Sequence, residues 1–227
     1  MAEHGGRRIA FLAYTSICWP VGQAATEDSP GVAEAFALTS YQPDYRVSDV
    51  PGRPPTILTK PVPEHLGTLI TDLRRARAEH DVVVVSMHWG IPGDRLADYQ
   101  IEYAHAAVEA GADLVVGHGP HSVQAVEVYL GRAILYSLGN LVFDWQAMRG
   151  RHLDGLVATY TFGASPELVL TPVRRNAEND AEPLTGPEAD DLLQQVARLS
   201  AERDTMVIAD AGFATVNGLE SHHPFVQ

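Results

Sequence analysis

An α/β fold, with a parallel β-α-β core followed by mainly antiparallel strands and a C-terminal helix, is predicted by three features of the 227-residue sequence. Residues 82–87 and 113–117 are short, β-branched apolar runs of the kind covered on both faces of a sheet. Helical spacing from Asp98 to Ala110 lies between them, the order of a right-handed parallel crossover. Beyond His121 the pattern changes to short apolar runs separated by turn residues, as in antiparallel hairpins.

In chain order, the apolar run 9–14 predicts a buried strand between Arg7-Arg8 and Thr15-Ser16. Residues 16–56 carry Pro20, Pro30, Pro43, Pro51, Pro54 and Pro55, which predicts a long loop with at most a helical turn or two near 31–38. Such a loop serves as a lid, a partner-binding segment or a mobile stretch. Pro63-Glu64 opens a helix to about His80, with Leu66, Leu69, Ile70, Leu73 and Ala76 on one face. The strand at 82–87 then delivers His88-Trp89-Gly90 at its C-terminal end. Asp98 is the expected cap of the next helix, which Gly111 stops, and the following strand leads into His118-Gly119-Pro120-His121. Strands are expected at 123–129, 133–138, 155–162 and 167–173, then a polar loop and an amphipathic helix over 188–203. The expected organisation is one domain over 1–210, with a frayed tail over 211–227.

Sixteen basic against twenty-nine acidic residues give a formal charge of -13, which opposes binding to a phosphate backbone. No nucleic-acid partner is expected. The single cysteine, Cys18, excludes an intramolecular disulfide, and no apolar run is long enough to cross a bilayer. With no leader pattern in the first twenty residues, the expected location is the cytoplasm and no membrane partner is expected.

Ligands of α/β proteins bind beyond the carboxyl ends of the parallel strands, so His88 should meet His118 and His121 there. Three imidazoles at one sheet end could hold a divalent metal ion (Zn, Mn or Fe) with positions left open for a substrate. The alternative is that each histidine simply bonds to backbone at a strand end. Asp94 and Asp144 are candidate oxygen ligands or bases, and Asn140 could bond a ligand or orient a histidine, or only form a turn. His105, inside the second helix, reads as a packing or hydrogen-bonding residue. His4, His152, His222 and His223 read as solvated.

The stretches 83–90 and 110–121, with Gln100 and Gln124, and the stretch 134–144 together resemble the poly-γ-glutamate capsule biosynthesis protein CapA family, within the calcineurin-like metallophosphatase superfamily. The resemblance extends over about residues 7–203 and implies half of a metallophosphatase-like α/β sandwich, its C-terminal half. It implies metal ligation by His88, His118 and His121, and motif positions at Asn140 and Asp144. The family pattern also begins with an aspartate strand, a glycine-aspartate motif and an asparagine-histidine motif, which have no counterpart before Ile9. The implied function is a metal-dependent hydrolase or transferase acting on an amide, γ-glutamyl or phosphoester bond of a small-molecule or peptide-like substrate. The alternative is a non-catalytic or half-site subunit that needs a separate N-terminal-half chain to complete a dinuclear metal centre. A homo-oligomer or such a heteromer is expected, because an open sheet edge invites pairing.

Overall fold

The structure, a computed structural model, describes residues 2–18, 23–143, 150 and 153–220. Its main sheet begins with an antiparallel hairpin of β1 (Ala2–His4) and β2 (Arg7–Thr15). β2 then pairs in parallel with β6 (Val82–His88), and β6 with β7 (Leu114–His118). The crossover between β6 and β7 is α2 (Asp98–Glu109), and α1 (Pro63–Glu79) precedes β6. This is the expected β-α-β core.

The residues that form β6 explain its central place. Val83, Val85 and Met87 enter a core with Leu69 and Leu73 of α1 and Tyr103, Ala104 and Ala107 of α2. Val82 and Val84 point the other way, into a second core completed by a further sheet and helix. That second sheet is antiparallel and contains β10 (Asp154–Thr161), β11 (Glu167–Arg175), β12 (Ala181–Pro183), β13 (Val207–Asp210) and β14 (Phe213–Val216). Its Leu168 and Leu170 meet Leu193 and Val196 of α3 (Pro187–Ala201), an amphipathic helix that packs its apolar stripe inward.

Four local expectations differ from the structure. Within 16–56 lie β3 (Ala33–Glu34), which pairs with the end of β2, and β4 (Ala37–Gln42), which forms a ribbon with β5 (Thr56–Pro61). Pro43, Pro51, Pro54 and Pro55 all fall in the connection between the ribbon's strands, where a missing N–H breaks no ladder. The hairpin of β8 (Val126–Tyr129) and β9 (Arg132–Leu135) does not belong to the antiparallel sheet; β9 joins the main sheet parallel to β7. Its Ala133, Ile134 and Leu135 are all buried, which suits a strand covered on both faces. The N-cap of α2 is Ala97, whose N–H donates to the Gln100 side chain, while Asp98 sits in the first turn. The segment after α3 is not frayed at 213–216: Ala214 and Val216 of β14 are buried and β14 pairs with β11. Among the described residues no helix is long and apolar enough to cross a membrane.

Two buried carboxylates tie these layers together. Asp113, at the start of β7, accepts the Val83 N–H at 2.8 Å and meets Arg77 of α1 at 2.7 Å. Glu127 of β8 receives Tyr136 Oη at 2.6 Å, His105 Nε2 of α2 at 3.0 Å and Arg203 Nη2, just past α3, at 3.2 Å. His105 also stacks on Tyr129, with ring centroids 3.8 Å apart, so its role is the structural one expected. Burial opposes ionisation of Glu127, but its hydrogen bonds outweigh that and hold its carboxyl below the usual range.

Removing one partner of a buried ion pair leaves the other charge uncompensated, so Asp113→Ala is expected to lower stability by about 3–5 kcal/mol in urea unfolding. A depressed folded-state pKa stabilises the fold above the unfolded-state value of ~4.3 and loses that stabilisation as the pH falls through the folded value. The difference in urea midpoint between wild type and Glu127→Gln is therefore expected to be full at neutral pH and to shrink in acid below ~4.3. A constant difference down to the acid limit would show that Glu127 is not held ionised.

Candidate functional site

In-register parallel pairing builds the site. Thr15 of β2 is opposite His88 of β6, and His88 is opposite His118 of β7. Side chains alternate faces along a strand, so all three residues emerge in one row on one face, at the C-terminal ends of the strands. Neighbouring strands lie ~4.8 Å apart, and the imidazoles of His88 and His118 accordingly stack at 5.0 Å with 13° between their planes.

The hydrogen bonds fix which nitrogen of His88 carries the proton. A threonine hydroxyl has one proton to donate and two lone pairs. Thr15 Oγ1 donates to Ile17 O at 2.8 Å and accepts the Ile17 N–H at 3.1 Å. Its remaining contact, 2.9 Å to His88 Nδ1, must therefore be donated by the imidazole. His88 is thus protonated on Nδ1 and carries its lone pair on Nε2.

His121 reaches the same cleft by a different route. It follows Gly119 and Pro120 and adopts φ 56°, a left-handed conformation that is uncommon for a residue with a side chain. Its Nδ1 donates to Oδ1 of the buried Asn140 at 2.9 Å, and its ring lies edge-on to Phe143 at 4.7 Å. Asn140 thus bonds a histidine, in line with one of the three roles its sequence context allowed.

The cleft is about 960 Å³ and is lined by His88, His118 and His121 with Thr15, Ser86, Gly119, Ile17 and Val32. Burial first, and then the nearby His121 imidazole, hold His88 below the usual imidazole range. His118 is open along the cleft, yet desolvation and then His88 lower it as well. Both rings are neutral near pH 7, the form in which imidazole donates a lone pair. Gly119 leaves room for this arrangement: a Cβ there would stand 2.5 Å from Trp89 O, 2.8 Å from Cδ2 and 3.2 Å from Nε2 of His88.

A profile of the bacterial capsule synthesis protein PGA_cap family matches residues 1–145. The chain belongs to this family. Among its relatives, the PGA biosynthesis protein CapA of Bacillus subtilis is 48% identical over 73 residues, covering 32% of this chain and 19% of the relative. The capsule biosynthesis protein CapA of Bacillus anthracis is 32% identical over 182 residues, 79% of this chain and 38% of the relative. A protein of Mycobacterium tuberculosis described as a polyglutamine synthesis accessory protein is 31% identical over 155 residues, 66% of this chain and 38% of its own length. The chain therefore spans less than two fifths of these relatives. The PGA_cap match contains the parallel strands, the three histidines and Asn140, and stops before the antiparallel sheet and α3.

The candidate acids are placed differently. Asp94 lines a separate pocket of about 330 Å³ with Arg95, Arg198 and Glu202, and its Oδ2 lies 3.9 Å from Arg198. The fold does not bring Asp94 to the histidines, because the loop carrying it is drawn toward α3. Gln124 holds that loop by donating to Gly93 O and Arg95 O, both at 3.0 Å. Asp144, His152, His222 and His223 lie outside the described residues. In kind, three imidazoles fit a metal ion. In arrangement, no group of three or more histidine, cysteine, aspartate or glutamate residues among the described residues is placed to hold one.

Sequence reasoning did not single out Thr15 or Ser86, whose Oγ lies 3.4 Å from His118 Nε2. A strand register would have found Thr15, since it ends its apolar run as His88 ends the next. Gly119→Ala is expected to displace His88 and to cost about 1–3 kcal/mol, from a crowded Cβ and a φ of 118°. Urea unfolding gives the loss, and a shifted His88 ring resonance gives the displacement; an unmoved resonance would contradict the contact.

Proposed function

We propose that this chain supplies the imidazole ligands of a metal-dependent hydrolase or transferase that acts on an amide, γ-glutamyl or phosphoester bond in the synthesis of a capsule-type polymer. One observation carries the reading. His88 and His121 each hold Nδ1 against a fixed oxygen, and both rings line a common cleft. Histidines that bind metals are characteristically held in this way, their other nitrogen fixing tautomer and ring orientation.

His88, His118 and His121 would hold the divalent ion, Zn, Mn or Fe. Such an ion polarises a carbonyl or phosphoryl oxygen and lowers the pKa of a bound water. The chain's own residues do the positioning. Thr15 holds the His88 ring and Asn140 the His121 ring, while Gly119 keeps the Nε2 edge of His88 uncrowded. Ile17 and Val32 give the cleft an apolar wall against which a substrate chain can lie. The relatives' descriptions, PGA biosynthesis and polyglutamine synthesis, support an amide or γ-glutamyl bond over a phosphoester.

A second reading is favoured by the incomplete ligand arrangement among the described residues and by the position of Asp94. In it the chain is a half-site subunit, inactive alone, and a separate N-terminal-half chain completes a dinuclear centre.

Elemental analysis after exhaustive desalting distinguishes the two. The first reading expects about one tightly held metal per chain, as in a three-ligand catalytic site, absent from His88→Ala and His118→Ala. Thr15→Val, which removes the acceptor for His88 Nδ1–H together with the hydroxyl's two bonds to Ile17, is expected to weaken metal affinity about 10- to 100-fold. Retention only after adding the N-terminal part of a longer relative would establish the half-site. No retention under either condition would overturn both.

A further inference from the structure

Among the described residues, the far edge of β2 is covered only at its two ends. β1 pairs with residues 7–9 and β3 with Tyr14 and Thr15, so among the described residues none forms a strand beside 10–13 on that side. Peptide groups alternate in direction along a strand. Ser16 N–H donates to His88 O, whereas Thr15 O accepts from Ala35 N–H on the opposite side. Even-numbered residues of β2 therefore address β6, and the N–H and C=O groups of Phe11 and Ala13 point into the open stretch.

The opening is ~13 Å long at the usual strand rise, room for about four residues. β2 forms one wall through residues 10–14, and α1 forms the other through Asp72, Arg75, Ala76 and Glu79, around a groove of about 370 Å³. The Phe11 side chain is 62% exposed on the sheet face that leads to Thr15 and His88. A free strand edge beside a helix is a geometry in which an extended peptide adds to a sheet, main-chain bonds giving affinity and alternate side chains giving selectivity.

We infer that this slot receives an extended strand from the additional polypeptide that longer members of the family carry, bonded to the free N–H and C=O groups of Phe11 and Ala13. A second copy of the chain does not fit. Pairing two β2 edges about a two-fold axis would drive each strand beyond the short opening into the flanking β1 or β3 of the other copy. The length comparison supplies the occupant instead, because the relatives extend well beyond the part this chain matches, 62% of the Bacillus anthracis protein lying outside it by subtraction from the 38% covered. The walls set its side chains: small apolar residues toward Ala10, Leu12 and Ala76, alternating with residues that lie over Phe11 and Ala13. The inference stands whether or not the histidines hold a metal, and its test uses none.

The probe is a set of overlapping synthetic peptides covering the parts of the Bacillus anthracis CapA sequence outside the match, titrated into the intact chain by fluorescence anisotropy. At least one is expected to bind and to slow hydrogen exchange at the Phe11 and Ala13 amides. Backbone N-methylation at one alternate set of its residues is expected to weaken binding about tenfold or more, and at the other set to leave it unchanged, as loss of a main-chain hydrogen bond requires. Ala13→Pro removes a far-side N–H without touching the β6 ladder and is expected to weaken binding similarly. The peptide modifications keep the test independent of whether that variant folds. Absence of saturable binding by every peptide, equal effects of both methylation sets, or Phe11 and Ala13 amides already protected in a dimer of the free chain would each overturn the inference.

Discussion

The parallel register of β2, β6 and β7 is the constraint on which the site depends. Once Ile9 stands opposite Val82, the pleat fixes every later pair, and Thr15, His88 and His118 follow as a row. A slip of one residue would turn His88 to the helix-covered face and bring Met87 to the cleft. The register is held away from the chemistry, where the Asp113 carboxylate takes the Val83 N–H and the Arg77 guanidinium together. The histidines are therefore positioned by a buried charge at the other end of their own strands.

The same geometry explains why a loop can deliver the third imidazole. Trp89 is fully buried, and its indole N–H donates to Tyr136 O at 2.9 Å, which clamps β6 to the segment following β9. A side chain at position 117 would collide with that indole nitrogen and that carbonyl, so glycine is required where β7 passes between them. The chain then turns through Gly119 and Pro120, and His121 meets Asn140 on the segment that Trp89 has anchored. One aromatic residue beside a ligand candidate thus sets the distance between two of the three loops of the cleft.

The core of this fold was legible because its signals are local. Four consecutive valines, Val82 to Val85, continued by Ser86 and Met87 up to His88, read as a strand covered on both faces, and the apolar spacing of Leu66, Leu69, Ile70 and Leu73 marks a helix without help from the rest of the chain. The convergence of the histidines followed from the βαβ rule alone. What escaped depends on distant partners. Arg132 to Leu135 reads as half of a hairpin, and only its position beside β7 makes it a parallel strand. Asp94 is near His88 in sequence, but Gln124 and Arg198 place its loop elsewhere. Thr15 has no distinctive neighbours; its importance comes from a residue 73 positions later.

That separation also has a bearing on how the protein reaches its native state. Thr15 and His88 can meet only after the intervening chain has been closed into a loop, and loop closure delays pairings that are remote in sequence. During synthesis β2 emerges long before β6, so the edge that β6 will cover stays bare until then, and Phe11 remains exposed even after the rest has folded. The cleft is thus completed only when β2 and β6 pair, and until then the strand that begins it presents an unpaired edge open to premature association.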